Sequence, residues 1–327
     1  MTWLLRKQYR SISAWAFGLS LALLTVLFLL SITARRDAGL LRSHHCSTLS
    51  LGNYCNTAVG NFEAHSNWST GILIVLLYAA PAILGVVLGI TVVAREFESG
   101  TVSLVWLQSL SRTRWIWAKT AFAGAIAASC AILICVAAGI WGNDVYLRLL
   151  SPSPLTSRIF DTSGIVVVGY VATAFGIGVL AGAIFRRSGV GFTIALASFG
   201  LVRVLIEKLL RPLVEGTRFQ SLSVQPPYTP VNGLLLHEGY APLGSFHPPN
   251  SGSLTISSVC QSASQTQSQY ANQAFTSCLR SHGLHFVVQY VPDSSYWIGQ
   301  WVEFGTCLAI AGVAIWISRK VLDRADL

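Results

Sequence analysis

Residues 94–119 read AREFESGTVSLVWLQSLSRTRWIWAK, and the interpretation of this stretch decides how the rest of the chain is arranged. Charge brackets it, with Glu96 and Glu98 before and Arg112, Arg114 and Lys119 after, while Gly100 and Thr101 break and restart the chain. Wound as a helix, residues 101–110 put Val102, Val105, Trp106 and Leu110 on one side and Leu104 and Leu107 on another. Only Ser103, Gln108 and Ser109 lie between them. A helix apolar nearly all round is buried nearly all round, yet it is too short to cross a bilayer, which takes about 20 residues. One face therefore packs on its own membrane domain and the other needs a partner.

The composition around this segment is that of a membrane protein with little soluble mass. Of 327 residues, 53% are hydrophobic and 11% charged, with a mean hydropathy of +0.57, against about 25% charged residues in soluble domains. The net charge of +9 comes from basic residues beside apolar spans, where they act as topology anchors. No basic stripe interleaved with aromatics marks a nucleic-acid surface.

Six apolar stretches follow in order, at residues 14–33, 71–94, 118–141, 164–185, 190–211 and 296–318. Residues 1–13 carry Arg6, Lys7 and Arg10 among Trp3, Leu4 and Leu5, which reads as an interfacial amphipathic helix or as a basic flank to the first span. That span is read as uncleaved, because its apolar run exceeds a signal-peptide core and no small-residue cleavage site follows. Pro81 interrupts the second span, and Gly85 and Gly89 give it a face for close helix packing. Ala174, Gly178 and Gly182 form a similar ridge on the fourth. Arg186, Arg187, Ser188 and Gly189 leave so short a turn that spans four and five form an antiparallel pair. The fold class expected is thus an all-α polytopic membrane protein, one transmembrane domain over residues 1–327. It has six spans, a cytoplasmic helical segment within residues 95–117 and a large external segment at residues 212–295.

Orientation follows from basic residues. With the N-terminus inside, the inner pieces hold Arg6, Lys7, Arg10, Arg95, Arg112, Arg114, Lys119, Arg186, Arg187, Arg319, Lys320 and Arg324, more than half of the 22 basic residues in far fewer than half of the loop positions. This bias places both termini in the cytoplasm. Trp15, Trp68, Trp115, Trp117, Trp141, Trp297 and Trp316 all fall at span ends, where an amphipathic ring sits at the interface.

Cys46 and Cys55 lie in one outer segment, Cys260 and Cys278 in the other. Disulfides form in oxidising compartments, so bridges Cys46–Cys55 and Cys260–Cys278 are expected, the alternative being four unpaired thiols. Cys130, Cys135 and Cys307 lie within spans as small packing residues. All seven histidines are external as well, but none has zinc-ligand spacing with supporting carboxylates, so no metal site is read. No HExxH, GxSxG or paired carboxylates on a span support an enzyme. The absence of GxxxxGK[ST] means that any ATP is bound by another chain.

Ionisable residues inside spans are costly and point to function. Arg203 lies about 20 Å along the fifth span at 1.5 Å per residue, with Glu207 at i+4 as its natural partner. Glu303 lies near the outer end of the sixth. The three either line an outward-facing cavity or form a structural ion pair.

Glu98, Gly100 and Thr101, followed by Trp106, Gln108, Ser109, Ser111, Arg112, Arg114, Trp115 and Lys119, resemble the cytoplasmic coupling segment of ABC-2-type transporter permeases, particularly an actinobacterial group. Leu107 stands where that group usually has threonine. QYVPDSSYWIGQWVE at residues 289–303 resembles the group's last external stretch, with Val291 separating Tyr290 from Pro292. The resemblance implies a non-enzymatic permease subunit in a bacterial plasma membrane, without a cofactor of its own, that pairs with a second permease copy or paralogue and with ABC ATPase subunits. It implies export, and it assigns Glu98, Gly100, Thr101, Trp106, Leu107, Leu110, Arg112 and Arg114 to ATPase coupling. The rival reading is a membrane-anchored binding or immunity protein that does not transport.

Overall fold

The computed structural model of the chain describes residues 13–22, 24–26, 28–29, 32, 75–98, 100, 112–142, 153–214, 216–222, 233–242, 277–278 and 281–324. These fall into two compact units, one formed mainly by the helices and the other by residues 150–156 and 215–296.

The helical unit contains α1 (Ser13–Val26), α2 (Val75–Thr91), α3 (Ala94–Glu98), α4 (Arg112–Gly142), α5 (Ser157–Phe160), α6 (Val166–Phe185), α7 (Ser188–Val214) and α8 (Tyr296–Asp323). Among the described residues, four helical stretches are long and apolar enough to cross a membrane: Arg114–Val136, Val166–Phe185, Ser188–Val214 and Asp293–Asp323. They correspond to the third to sixth expected spans. The described parts of α1 and α2 stand at the first and second, and both are shorter. Helix α2 runs through Pro81 without a break. The chain turns instead at Val92 and Val93, whose N–H groups donate to Gly89 and Ile90 at 3.2 Å. The interfacial helix expected over residues 1–13 lies outside the described residues, apart from Ser13.

Helix α6 is the hub. Its apolar window is 78% buried, against 22% for α7 and 28% for the last helix. Small residues make this possible, because they let backbones touch. A Cβ on Gly85 would come within 2.6 Å of the Ala174 Cβ, one on Gly89 within 2.2 Å of the Phe175 carbonyl, and one on Gly178 within 2.8 Å of the Val86 carbonyl. The two small-residue ridges of α2 and α6 thus meet in one interface. Gly176 approaches the backbone of Ala311 on α8 just as closely. On α7, Ala195 and Phe199 pack into the same core as Val86, Ile90, Tyr170 and Ala181.

The turn between α6 and α7 is two residues long. Arg186 adopts a left-handed conformation (φ 53°) and its N–H closes onto the Gly182 carbonyl, while Arg187 is extended (φ −131°, ψ 123°). A π-helical turn, Ile206–Leu210, lies within α7.

The second unit departs from the all-helical expectation. Strands β1 (Arg218–Leu222), β2 (Gly233–Pro242) and β3 (Leu284–Pro292) form an antiparallel sheet in the order β1-β3-β2. Strand β3 reads LHFVVQYVP, rich in the β-branched and aromatic residues that suit a pleated surface. Val287 and Val288 are both fully buried, and since neighbours on a strand face opposite ways, the central strand is covered on both faces. A bulge at Leu235/His237 shifts the register of β2. The Ser153 hydroxyl donates to Asp293 at 2.6 Å within this unit. The sheet falls within the compact unit of residues 150–156 and 215–296, in the stretch expected as the large external segment.

Candidate functional site

Two polar sites lie at opposite ends of α6, about 30 Å apart by its 20 residues at 1.5 Å each.

At the end carrying α3, the sequence AREFE sends its two glutamates to different sides, since positions i and i+2 do not share a helix face. Glu96 is buried and forms an ion pair with the equally buried Lys119 of α4. The Lys119 ammonium lies 4.7 Å from the centre of the Trp115 ring. Glu98 points the other way, to the start of α7. Its carboxylate accepts the Ser188 backbone N–H at 2.7 Å and the Ser188 hydroxyl at 2.5 Å. The hydroxyl bond and then the backbone bond hold the Glu98 carboxyl below its ordinary pKa. Arg186 stacks 4.9 Å over the Phe97 ring. Gly100, at φ +67°, a conformation open to glycine at little cost, ends α3 and points the chain into the segment that follows. Both flanks of residues 99–111 are thereby tied down: the first to α7 and the second, through Lys119, back to α3.

At the other end, one buried network joins four helices. Asp161, just before α6, is approached by Tyr78 of α2 at 2.9 Å, Tyr170 of α6 at 3.1 Å, Arg203 of α7 at 3.0 Å and Arg211, also of α7. Glu303 of α8 accepts from the Tyr170 hydroxyl and from Arg211 Nε at 3.1 Å. The Arg203 guanidinium is sandwiched 3.9 Å over Tyr170 and 4.6 Å over Tyr78, and Arg211 lies 4.5 Å over Phe160. Two arginines meet two carboxylates, so the ionised network is neutral, as a low-dielectric setting requires. Gln300 supports it from beside: fully buried, it accepts the Val166 N–H at 3.0 Å and donates to the Phe160 carbonyl at 3.0 Å.

The π turn explains how both arginines reach Asp161. Eight residues of α-helix at about 100° each leave two side chains about 80° apart; a π turn absorbs one residue and brings them to within about 20°. It also corrects the expected pairing, because Arg203 pairs with Asp161 and not with Glu207. Glu207 stands 3.7 Å from Lys208 and is 36% exposed.

Arg203 and Glu303 are therefore brought together, with Glu207 left out. Glu98 and Gly100 lie at the α3 junction, and Arg114 is exposed at the start of α4. Thr101, Trp106, Leu107 and Leu110, and the side chain of Arg112, lie outside the described residues, as do Cys46, Cys55 and Cys260. Cys278 is disulfide-bonded, with a partner outside the described residues. Cys130, Cys135 and Cys307 are free thiols. Sequence reasoning missed Asp161, Tyr78, Tyr170, Arg211 and Ser188. A signal existed for the first: Asp161 is the last charge before an uncharged run to Phe185. Among the described residues no group of three His, Cys, Asp or Glu could hold a metal.

A family model described as ABC-2 membrane transporter related matches residues 17–211, more than half of the chain and both polar sites except Gln300 and Glu303. No curated protein and no solved structure matches the chain.

Proposed function

The chain belongs to the ABC-2 membrane transporter related family, and from that premise we propose that it is the membrane-spanning permease subunit of an ABC exporter, driven by a separate ATPase that docks on residues 95–117. It works beside a second permease, identical or paralogous, in a bacterial plasma membrane with both termini cytoplasmic. It has no phosphate-cradling glycine loop, and ATP binding and hydrolysis belong to the partner.

The observation that carries this reading is the anchorage of the central segment. The stretch of residues 101–110, whose sequence calls for burial nearly all round, is flanked on one side by the Glu98 bonds to Ser188 and on the other by the buried Lys119–Glu96 pair. These contacts join the flanks of the segment to α7 and α4.

Trp106→Ala and Leu107→Asp test it. Truncating a buried aromatic interface anchor commonly costs about 2 kcal/mol or more, about thirtyfold in affinity. The variants should insert and fold, recover far less ATPase per permease in pull-downs from detergent extracts, and lose coupled ATP turnover. Unchanged association would remove the docking role and favour a membrane-anchored binding or immunity protein.

A further inference from the structure

The last turn of α7 is helical against the preference of its own sequence. Pro212 has no N–H to donate, and a proline ring inside a helix crowds the carbonyl four residues back. A proline also disfavours the helical conformation in the residue before it, yet Arg211 is helical, at φ −56° and ψ −50°. We propose that Arg211 is a latch: bound to Asp161 and Glu303 it holds residues 211–214 in the helix, and released it lets α7 end before Pro212 and adds those residues to the link with β1. The inference goes beyond the permease reading and involves neither the ATPase nor the segment that docks it.

Three features support it. The turn is anchored through the Arg211 side chain, whose guanidinium meets Asp161 and, at 3.1 Å, Glu303, and lies over the Phe160 ring. Such charge-assisted bonds are about twice as strong as neutral ones. The rest of the turn adds no residue to the apolar core: Pro212 and Leu213 are exposed, Leu213 to 83%. The helix just before it is already widened, since Ile206–Leu210 is π-helical and the Arg211 N–H reaches back to the Ile206 carbonyl. Arg203, on the α-helical side of the π turn, has its own pair with Asp161, so release of Arg211 leaves the body of α7 seated. Residues 215–217 join α7 to β1. Extended chain rises about 3.3 Å per residue against about 1.5 Å in a helix, so four released residues lengthen that link by about 7 Å.

Amide exchange of the full-length permease in detergent reads the latch, because local opening shows as exchange confined to the segment that opens. The amides of residues 207–214 are compared with those of residues 195–205. Arg211→Gln should speed exchange several-fold over 207–214 and leave 195–205 as it was. Pro212→Ala, which restores a helical donor and removes the ring, should slow exchange several-fold over the same stretch. The double variant should return close to the unaltered rate, since it removes both the latch and the residue that works against it. A buried arginine with a merely structural role would not respond to Pro212→Ala. Unchanged exchange in Pro212→Ala overturns the latch, because the proline then places no load on Arg211. An Arg211→Gln protein that exchanges faster throughout 195–205, or that no longer folds, overturns it as well, by making Arg211 a support of the whole bundle.

Discussion

Lys119 and Glu96 show how much a single position can decide. Each is almost completely buried, and removing one partner of a buried pair leaves a charge that nothing compensates, at a cost of about 3–5 kcal/mol. Replacing both with neutral side chains is often close to neutral. Glu96→Gln alone should therefore lower the thermal unfolding temperature in detergent markedly, and Glu96→Gln with Lys119→Met should recover most of the loss. Additive losses in the double variant would show that the two residues act separately. Sequence shows both residues, since a lysine just inside an apolar span and a glutamate just past another are visible in the string. Their partnership is not, because it depends on where α3 turns after Val92 and Val93. Arg203 teaches the same lesson from the other side: the i+4 rule names Glu207, but the π turn and the strongly placed Asp161 override it.

At the scale of elements, the glycine ridges were the most legible feature. Gly85 with Gly89 and Ala174 with Gly178 and Gly182 are spaced for backbone contact, and α2 and α6 use both ridges against each other. Gly89→Leu should be among the most damaging single changes, since a first side-chain carbon there would already lie 2.2 Å from the Phe175 carbonyl. Overpacking commonly costs about 1–3 kcal/mol and more where backbone must move. Yield of folded protein on size exclusion in detergent would report it, with Gly312→Leu, which meets nothing within 4 Å, as the comparison. Equal yields would mean that the two helices separate easily. The sheet was not legible in the same way. Its three strands come from stretches up to about 60 residues apart in a polar, serine- and glutamine-rich segment, so no run of alternating hydrophobicity connects them. The π turn leaves no sequence mark at all, being fixed by what Arg203 and Arg211 reach.

For the whole molecule, the four described helices long and apolar enough to cross a membrane coincide with the last four apolar runs, with helix ends a few residues beyond those runs: α4 begins at Arg112 rather than 118, and α8 continues to Asp323 rather than 318. The orientation proposed from basic residues can be read directly. A reporter active only outside the membrane should give signal when fused at Gly60 or Ser262, and one active only inside when fused at Ser188. An outside signal from Ser188 would invert the arrangement and put the α3 junction beyond reach of any cytoplasmic ATPase.

The two-residue turn at Arg186 and Arg187 has a consequence for biogenesis. A connection that short suits α6 and α7 to entering the membrane together as a helical hairpin. An arginine at the centre of a lone span carries an insertion penalty of about 2.5–3.5 kcal/mol. In the hairpin, Arg203 arrives already facing Asp161 and the Tyr170 ring, its charge matched within the same inserting unit. A hairpin that inserts as one unit would thus supply the partner of Arg203 before α8 and Glu303 have been synthesised.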